Sequence, residues 1–554
     1  FLTQYGSLIT YSSKKYPSKS KLINADRIDE LDQQLINQTD GQYRKGYIQG
    51  FTVNFNPGKY DRFALYCIMR SVYEDFKNSF EKFKTKEKAT LIMNRLILLI
   101  FVVNIGFCLL AEGWKKGRRH RKREVTKFMH VSDVHFDLFY NQSISEDTRC
   151  SCRSTEGFKI ADYEAPYGRI GCDSPEWLLE STLTAMKEKG KDAEFILLTG
   201  DLSAHDMTDD QGSPNVLKAI QTVSSKAHEV FPDIPIFPAF GNNDIPGHYV
   251  LPINRSDPWY ETVLTYWAPL ILCPGCPKDV QRPTTMDALK KTFLDGGYYS
   301  ANIADGKMVV LVPNAMYWNN NWQTYPLWDE IAERQLQWLA EQLALAKNKG
   351  KRVLIMSHIP PGGDPFNYNY FWIPKYTERY VSLVAGKYHD VIAGQFYAHT
   401  HKDDFRLQIL NTEDEKTSTK SFVLQTASVS PIYSNNPAFK VFTMRTDIQA
   451  LVDYDQHYLD LEVATEFSNP VWKFDYTFSK KYPSKNKLIN ANRIDELSQK
   501  LISQTDAQYW NGYFMGTTVN YFPSHYDRFG LYCIVRYVLE EDFHRCYDNF
   551  KVHN

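Results

Sequence analysis

Hydrophobic positions in the central part of the chain fall into two alternating patterns. Short, nearly unbroken apolar runs occur at 128–131, 195–199, 236–240, 309–312 and 353–356. Each has the length and uniform hydrophobicity of a strand buried on both faces, as in a parallel sheet. Between them lie longer stretches with apolar residues at helical spacing. One is Trp177–Lys187, where Pro175 fits the first helical position and Ser174 or Asp173 the cap. Another is Ile331–Ala346, with Trp338 and Leu339 on its apolar face. Strand runs separated by helical stretches predict an α/β fold.

Polar residues of a particular kind close the apolar runs. FMHVSDVH (128–135) ends in Asp133 and His135, and LLTGDLSAHD (197–206) carries Asp201 and His205. FGNNDIPGH (240–248) carries Asn242 and Asn243, IMSHIPPGG (355–363) carries His358, and FYAHTH (396–401) carries His399 and His401. In an open α/β sheet the carboxyl ends of strands face the ligand crevice, so these residues are expected at one place. One Asp-x-His or strand-end histidine means little, but five such elements in order make a set. Asp133, His135, Asp201, Asn242, His358, His399 and His401 mix hard oxygens with imidazoles and exceed the needs of one four-coordinate ion. Two divalent metals are therefore expected. Gly200 lets the backbone approach them closely. His205, four residues past Asp201, lies outside the ligand count and suits protonation of a leaving group.

This ordered set resembles the calcineurin-like metallophosphoesterases, whose signature runs D-x-H, G-D, G-N-H-D/E, H and G-H-x-H. More of the chain is similar to the acid sphingomyelinases and acid sphingomyelinase-like phosphodiesterases: GCDSP (171–175), TGDLSAHD (199–206), SHIPPG (357–362), GQFYAHTH (394–401) and the 427–442 segment. The resemblance implies a sandwich of mixed β-sheets flanked by helices, with a helical module after it. It implies a metal held by Asp133, His135, Asp201 and His401, and a second held by Asp201, Asn242, His358 and His399, with Asp201 bridging. Zinc is the family expectation, and the donor set also accepts manganese or iron. Two positions depart from the pattern. Asn243 replaces the usual second histidine, so it can donate a hydrogen bond to a phosphoryl oxygen but cannot act as an acid, which leaves His205, with His248 as a stand-in. Ala398 replaces a glycine. The saposin domain of full acid sphingomyelinases has no counterpart before residue 124, which favours the sphingomyelinase-like branch. The expected activity is hydrolysis of phosphodiesters, of a phospholipid such as sphingomyelin or, alternatively, of a nucleotide or polyphosphate. The rival class is a non-catalytic glycoprotein that keeps the scaffold.

Composition adds location rather than chemistry. A net charge of −1 over 554 residues gives no global attraction to a nucleic-acid polymer or an anionic membrane, although local contact with a membrane surface is compatible with it. Aromatic residues make up 14%, and those at 317–322 and 368–372 suggest either a substrate groove or ordinary packing. The nine cysteines fall mostly in close groups (150/152/172, 273/276, 533/546), and Asn37, Asn141 and Asn254 head glycosylation sequons. Met93-Asn-Arg precedes the apolar stretch 96–110, shaped like a signal peptide or a signal-anchor, and a basic run follows at 115–123. Export to the extracellular space or lysosome, with disulfides, is the expectation; membrane anchoring through 91–111 is the alternative. KKYPSKSKLIN (14–24) recurs as KKYPSKNKLIN (480–490), and the match extends over about 11–76 and 477–543. The organisation expected is a duplicated module at 1–88, a signal at 93–111, a basic linker at 112–124, a catalytic domain at 125–446 and a helical module at 447–554. The start at Phe1 leads to the expectation of a fragment or a processed chain, and the repeat to that of a fusion of two neighbouring relatives.

Overall fold

The computed structural model describes residues 124–553 apart from 146–151, 155–158, 208–213, 321–324, 412–417, 504–506 and 522–526. The first repeat copy, the apolar stretch, the basic run, Asn37, Cys150 and Trp322 lie outside the described residues. Two six-stranded mixed sheets form the core. The first has the order β12-β11-β10-β1-β2-β3: β1 (Val125–Val131), β2 (Ala193–Leu198), β3 (Ile236–Pro238), β10 (Ala438–Arg445), β11 (Ala450–Leu459) and β12 (Trp472–Thr477). The second has the order β4-β5-β6-β7-β9-β8: β4 (Tyr299–Ile303), β5 (Met308–Val312), β6 (Val353–Met356), β7 (Ile392–Tyr397), β8 (Asp404–Asn411) and β9 (Ser418–Gln425).

The strands that carry candidate ligands at their ends are parallel where they meet: β1 with β2, β2 with β3, β6 with β7. Their carboxyl ends therefore lie on one edge of the layers. The inner faces interlock through aromatic rings. Phe128 stacks between Phe195 at 4.8 Å and Phe442 at 4.9 Å, and Phe396 of the other sheet meets Phe128 edge-on at 5.5 Å. Such pairs add about 1 kcal/mol each beyond the area they bury, so the two strand-end clusters are held in fixed register.

Helix α1 (Glu176–Lys189) covers the first sheet beside α2 (Pro214–Val230). Pro175 occupies its cap, not its first turn, and no side chain caps it. Asp173 has a different partner, described below. Further helices are α3 (Trp259–Leu272), α4 (Met286–Gly296), α5 (Pro326–Asn348), which extends the predicted helix at both ends, and α6 (Pro374–Val381). The segment 447–554, expected to be helical, first gives β11 and β12 to the first sheet, where β11 pairs antiparallel with β10. Helix α7 (Leu461–Glu466) separates these two strands, and after β12 the chain runs through α8 (Phe478–Lys481), α9 (Ala491–Lys500), α10 (Ala507–Gly516), α11 (Arg528–Arg536) and α12 (Glu540–His553). Helices α9 and α10 dock on the second sheet by paired polar groups: Lys420 on β9 meets Asp495, and the Tyr513 hydroxyl donates to Asp404. Disulfides join Cys152 to Cys172, Cys273 to Cys276 and Cys533 to Cys546.

Candidate metal centre and its rim

All seven predicted ligands converge at the strand ends. Five of them (Asp133, His135, Asp201, His399, His401) have positive φ, between 43° and 68°. For a residue with a Cβ this costs roughly 1–2 kcal/mol each. Main-chain hydrogen bonds between elements hold the strained turns: Asp133 N–H to the Gly200 carbonyl (3.0 Å), His135 N–H to that of Asp201 (2.9 Å), Ser430 N–H to that of Asp133 (2.9 Å). Strain held this way aims side chains that an ordinary strand end would turn aside.

The donors form two groups, Asp133 with His135 and His401, and Asp201 with His358 and His399. Nε2 of His135 lies 3.1 Å from Nε2 of His401, and Nε2 of His358 lies 3.1 Å from Asn242 Oδ1 and 3.3 Å from His399 Nδ1. Asp201 Oδ2 sits between the groups, 3.2 Å from His358 Nε2 and 3.5 Å from His135 Nε2. The far ring nitrogens are taken by main-chain carbonyls, His135 Nδ1 by Ser203 (3.1 Å) and His358 Nδ1 by Thr199 (2.7 Å). That holds each ring with Nε2 turned into the cluster, the orientation a metal ligand needs.

Charge in the cluster is unbalanced. Both oxygens of the fully buried Asp133 carboxylate lack a hydrogen-bond partner. Burial of a carboxylate on those terms costs several kcal/mol. Burial disfavours protonated His135 and His358, yet Asp133, Asp173 and Asp201 around the first, and Asp201 and Asp133 around the second, raise each to about 9. Burial and then the neighbouring imidazoles lower His399 to about 3 and hold His401 well below the usual range. Against burial, His358 and His135 hold Asp201 well below the carboxylate range. Converging imidazole nitrogens beside a buried carboxylate that accepts no hydrogen bond fit divalent cations, which displace the ring protons and satisfy the donors together.

Residues around the cage position it. Asn243 donates to Asp201 from its backbone N–H (2.8 Å) and its side-chain amide (2.9 Å), so it braces both oxygens of that carboxylate. Asn242 Nδ2 donates to His248 Nε2 (3.2 Å), which turns Oδ1 towards His358. A Cβ on Gly241 would stand 2.0 Å from Asp201 Oδ1, so only glycine fits there. Asp244 accepts from the N–H groups of Leu202 (2.8 Å), Ser203 (3.1 Å) and Gly241 (3.0 Å), tying two strand ends together.

His205 stacks on His135 at 4.3 Å. Its Nδ1 is 3.0 Å from Asp173 Oδ2, and its backbone N–H donates to the same oxygen (2.8 Å). Ser430 Oγ donates to Asp173 Oδ1 (3.0 Å), and the Tyr433 hydroxyl is 3.3 Å from His205 Nε2. Sequence reading missed Asp173, Asp244, Ser430 and Tyr433 as site residues. Asp244 had a signal in its fixed place after Gly241-Asn242. Asp173 was visible only as a candidate cap, and Ser430 and Tyr433 are brought in by the fold alone. Of the aromatic clusters, Tyr317, Trp318 and Trp372 are buried in the core, and Tyr368 and Tyr370 pack on Phe543 of α12. Phe371 does face the site, with its ring 5.1 Å from His399.

The family model for the calcineurin-like phosphoesterases matches residues 126–403, which contain every residue of the cage. The chain belongs to the calcineurin-like phosphoesterase family. Curated relatives narrow the branch. Over 374 residues it is 29% identical to the cyclic GMP-AMP phosphodiesterase SMPDL3A of Homo sapiens, covering 66% of this chain and 77% of that protein. It is 30% identical to acid sphingomyelinase-like phosphodiesterase 3b of Homo sapiens, covering 70% and 80%. It is 29% identical to sphingomyelinase phosphodiesterase C of Dictyostelium discoideum, covering 63% and 76%. This calcineurin-like phosphoesterase is thus a phosphoric diester hydrolase by kinship, and two mixed sheets flanked by helices are its fold.

Proposed function

We propose that the chain is an exported phosphodiesterase that works with two divalent metal ions, zinc by preference. One observation carries this reading: Asp201 Oδ2 lies between two clusters of converging imidazole and carboxylate donors, while both oxygens of buried Asp133 accept no hydrogen bond and Oδ1 lies 3.4 Å from His401 Nε2. Asp133, His135, Asp201 and His401 would hold one ion, and Asp201, Asn242, His358 and His399 the other. Bound there, the ions supply positive charge for the phosphoryl oxygens and lower the pKa of the attacking water. The chain's own residues do the rest. Asn243 fixes both oxygens of Asp201, and Asp244 fixes the turns that carry Asp201 and Asn242. Asp173 holds His205 by Nδ1, leaving Nε2 to give a proton to the departing oxygen.

Export is supported by three disulfides in a chain with sequons at Asn141 and Asn254. Asn254 is exposed. Among the described residues no helix is long and apolar enough to cross a membrane. The first 123 residues are proposed to be a duplicate of the C-terminal module followed by an internal signal and a basic linker.

The substrate is proposed to be a phosphodiester with an alcohol leaving group, phospholipid or nucleotide. The test is a paired assay on the full chain recovered from a secreting eukaryotic host. Phosphocholine release from sphingomyelin is compared with hydrolysis of a cyclic dinucleotide and of ATP, each with and without chelator. Chelator-sensitive turnover restored by zinc is expected on at least one diester. Metal binding without turnover on any substrate would favour a non-catalytic role.

A further inference from the structure

The loop 430–436 reaches His205 from the side opposite Asp173. Its main chain is anchored at several points. Lys402 Nζ donates to the Tyr433 carbonyl (2.9 Å), Gly171 N–H to that of Pro431 (3.2 Å), and Asn435 Nδ2 to that of Ser430 (3.2 Å). Asp173 takes hydrogen bonds from both Ser430 and His205, so one carboxylate sets the loop and the imidazole in register. On this fixed loop the Tyr433 side chain is 47% exposed. Its ring meets His401 edge-on at 4.6 Å and His205 at 5.7 Å, and its hydroxyl lies 3.3 Å from His205 Nε2.

That contact involves the nitrogen the proposed chemistry needs. With Nδ1 committed to Asp173, Nε2 is the only ring atom of His205 that can reach a substrate, and a phenol oxygen stands at it. At 3.3 Å the bond is long for an O···N hydrogen bond and easily exchanged. We infer that Tyr433 is a positioning residue for the leaving group, its hydroxyl marking the place on His205 Nε2 that the departing ester oxygen takes in the substrate complex. The inference rests on the reading of His205 as the proton donor.

In the free enzyme the phenol hydroxyl stands at Nε2 where an ester oxygen would, and so keeps the imidazole aimed at the mouth. When substrate binds, the side chain turns aside on its anchored loop and its ring lies along the leaving group. The bond from phosphorus to the leaving oxygen then breaks with its electron pair on that oxygen. The Nε2 proton moves to this oxygen to give the free alcohol, and the proton lost by the attacking water restores His205. Tyr433 keeps its own proton throughout.

The test uses the full-length metal-loaded enzyme and two diesters with the same retained phosphoryl part. One carries p-nitrophenolate, which leaves without a proton, and the other a primary alkoxide, which does not. Expected for Tyr433→Phe is a kcat about tenfold lower on the alkyl ester and within about twofold of wild type on the aryl ester. Combined with His205→Ala, it should add nothing to the loss on the alkyl ester, since residues acting through one group are not additive. Equal losses on both esters, or additive losses in the double variant, would overturn the role of Tyr433. If His205→Ala itself shows no preference between the esters, the acid assignment falls and Tyr433 with it. A selective His205→Ala beside an unselective Tyr433→Phe removes only the inference about Tyr433.

Discussion

The metal cage and its rim lie a few ångströms apart and are built on opposite principles. Cage donors leave strand ends mostly through strained turns, and the distal ring nitrogens of His135 and His358 are gripped by the carbonyls of Ser203 and Thr199. Rim groups are held by side chains of other loops: His205 by Asp173, and Asp173 by Ser430. Backbone hydrogen bonding sets the first, so its geometry follows from the sheet. Side-chain contacts set the second, two of them between segments more than 200 residues apart. The cage should therefore fail all at once, and the rim should fail by degrees.

The largest effect is expected in the cage. Asp201→Ala removes the oxygen between the two clusters and leaves His135 and His358 facing each other without the carboxylate. Turnover should fall by at least about a thousandfold, and metal content, read by elemental analysis, should fall with it. Retention of both metals in an inactive variant would break the proposed bridge. On the rim, His205→Ala should lower turnover of an alkyl diester by about a hundredfold or more while metal content stays at the wild-type level. Loss of metal there would move His205 from the rim into the cage.

Residues that act through others should cost less. Asp173→Asn keeps the shape but weakens the hold on Nδ1, and a drop of about tenfold to a hundredfold with metal retained is expected. Asn243→Ala should cost about as much but through metal affinity, because Asn243 touches both oxygens of Asp201. A zinc titration under competition with a chelator separates the two: a shift for Asn243→Ala and none for Asp173→Asn sharpens the division, and identical shifts erase it.

The same division explains what the sequence disclosed. Strand-end ligands are legible because a buried parallel strand is a short apolar run and the residue after it must face the crevice. His135 and His401 could be placed together across a separation of 266 positions on that ground alone. Asp173 was not legible as a partner of His205, since an Asp before a Ser-Pro helix start is equally a cap. Nothing local marks Tyr433, which reaches His205 only because β10 brings its loop beside β1. The C-terminal segment misled for a related reason. Strands β11 and β12 are half-polar, with burial alternating along much of β11, so they lack the apolar signature of the parallel strands.

The smallest effect expected concerns the strand on which cage and core meet. His130 lies on β1, three residues before Asp133, buried against Phe396 with Nε2 bonded to Thr199 Oγ1 (2.9 Å). Burial, and then the charge of Lys440, hold its pKa well below 6.5. The folded protein thus keeps His130 neutral at pH values where the unfolded chain protonates it. Stability from this group is complete above about 6.5 and is lost as pH falls below that value, by at most about 1.4 kcal/mol per pH unit. Denaturant melts of the metal-loaded protein at pH 7 and pH 5 should show wild type losing about 2 kcal/mol more than His130→Gln over that interval. The variant itself should be less stable at pH 7, because it repacks a buried ring. An equal loss in both would mean that the strand tolerates a charge three residues from the cage, and the boundary between apolar core and polar centre would have to be drawn further into β1.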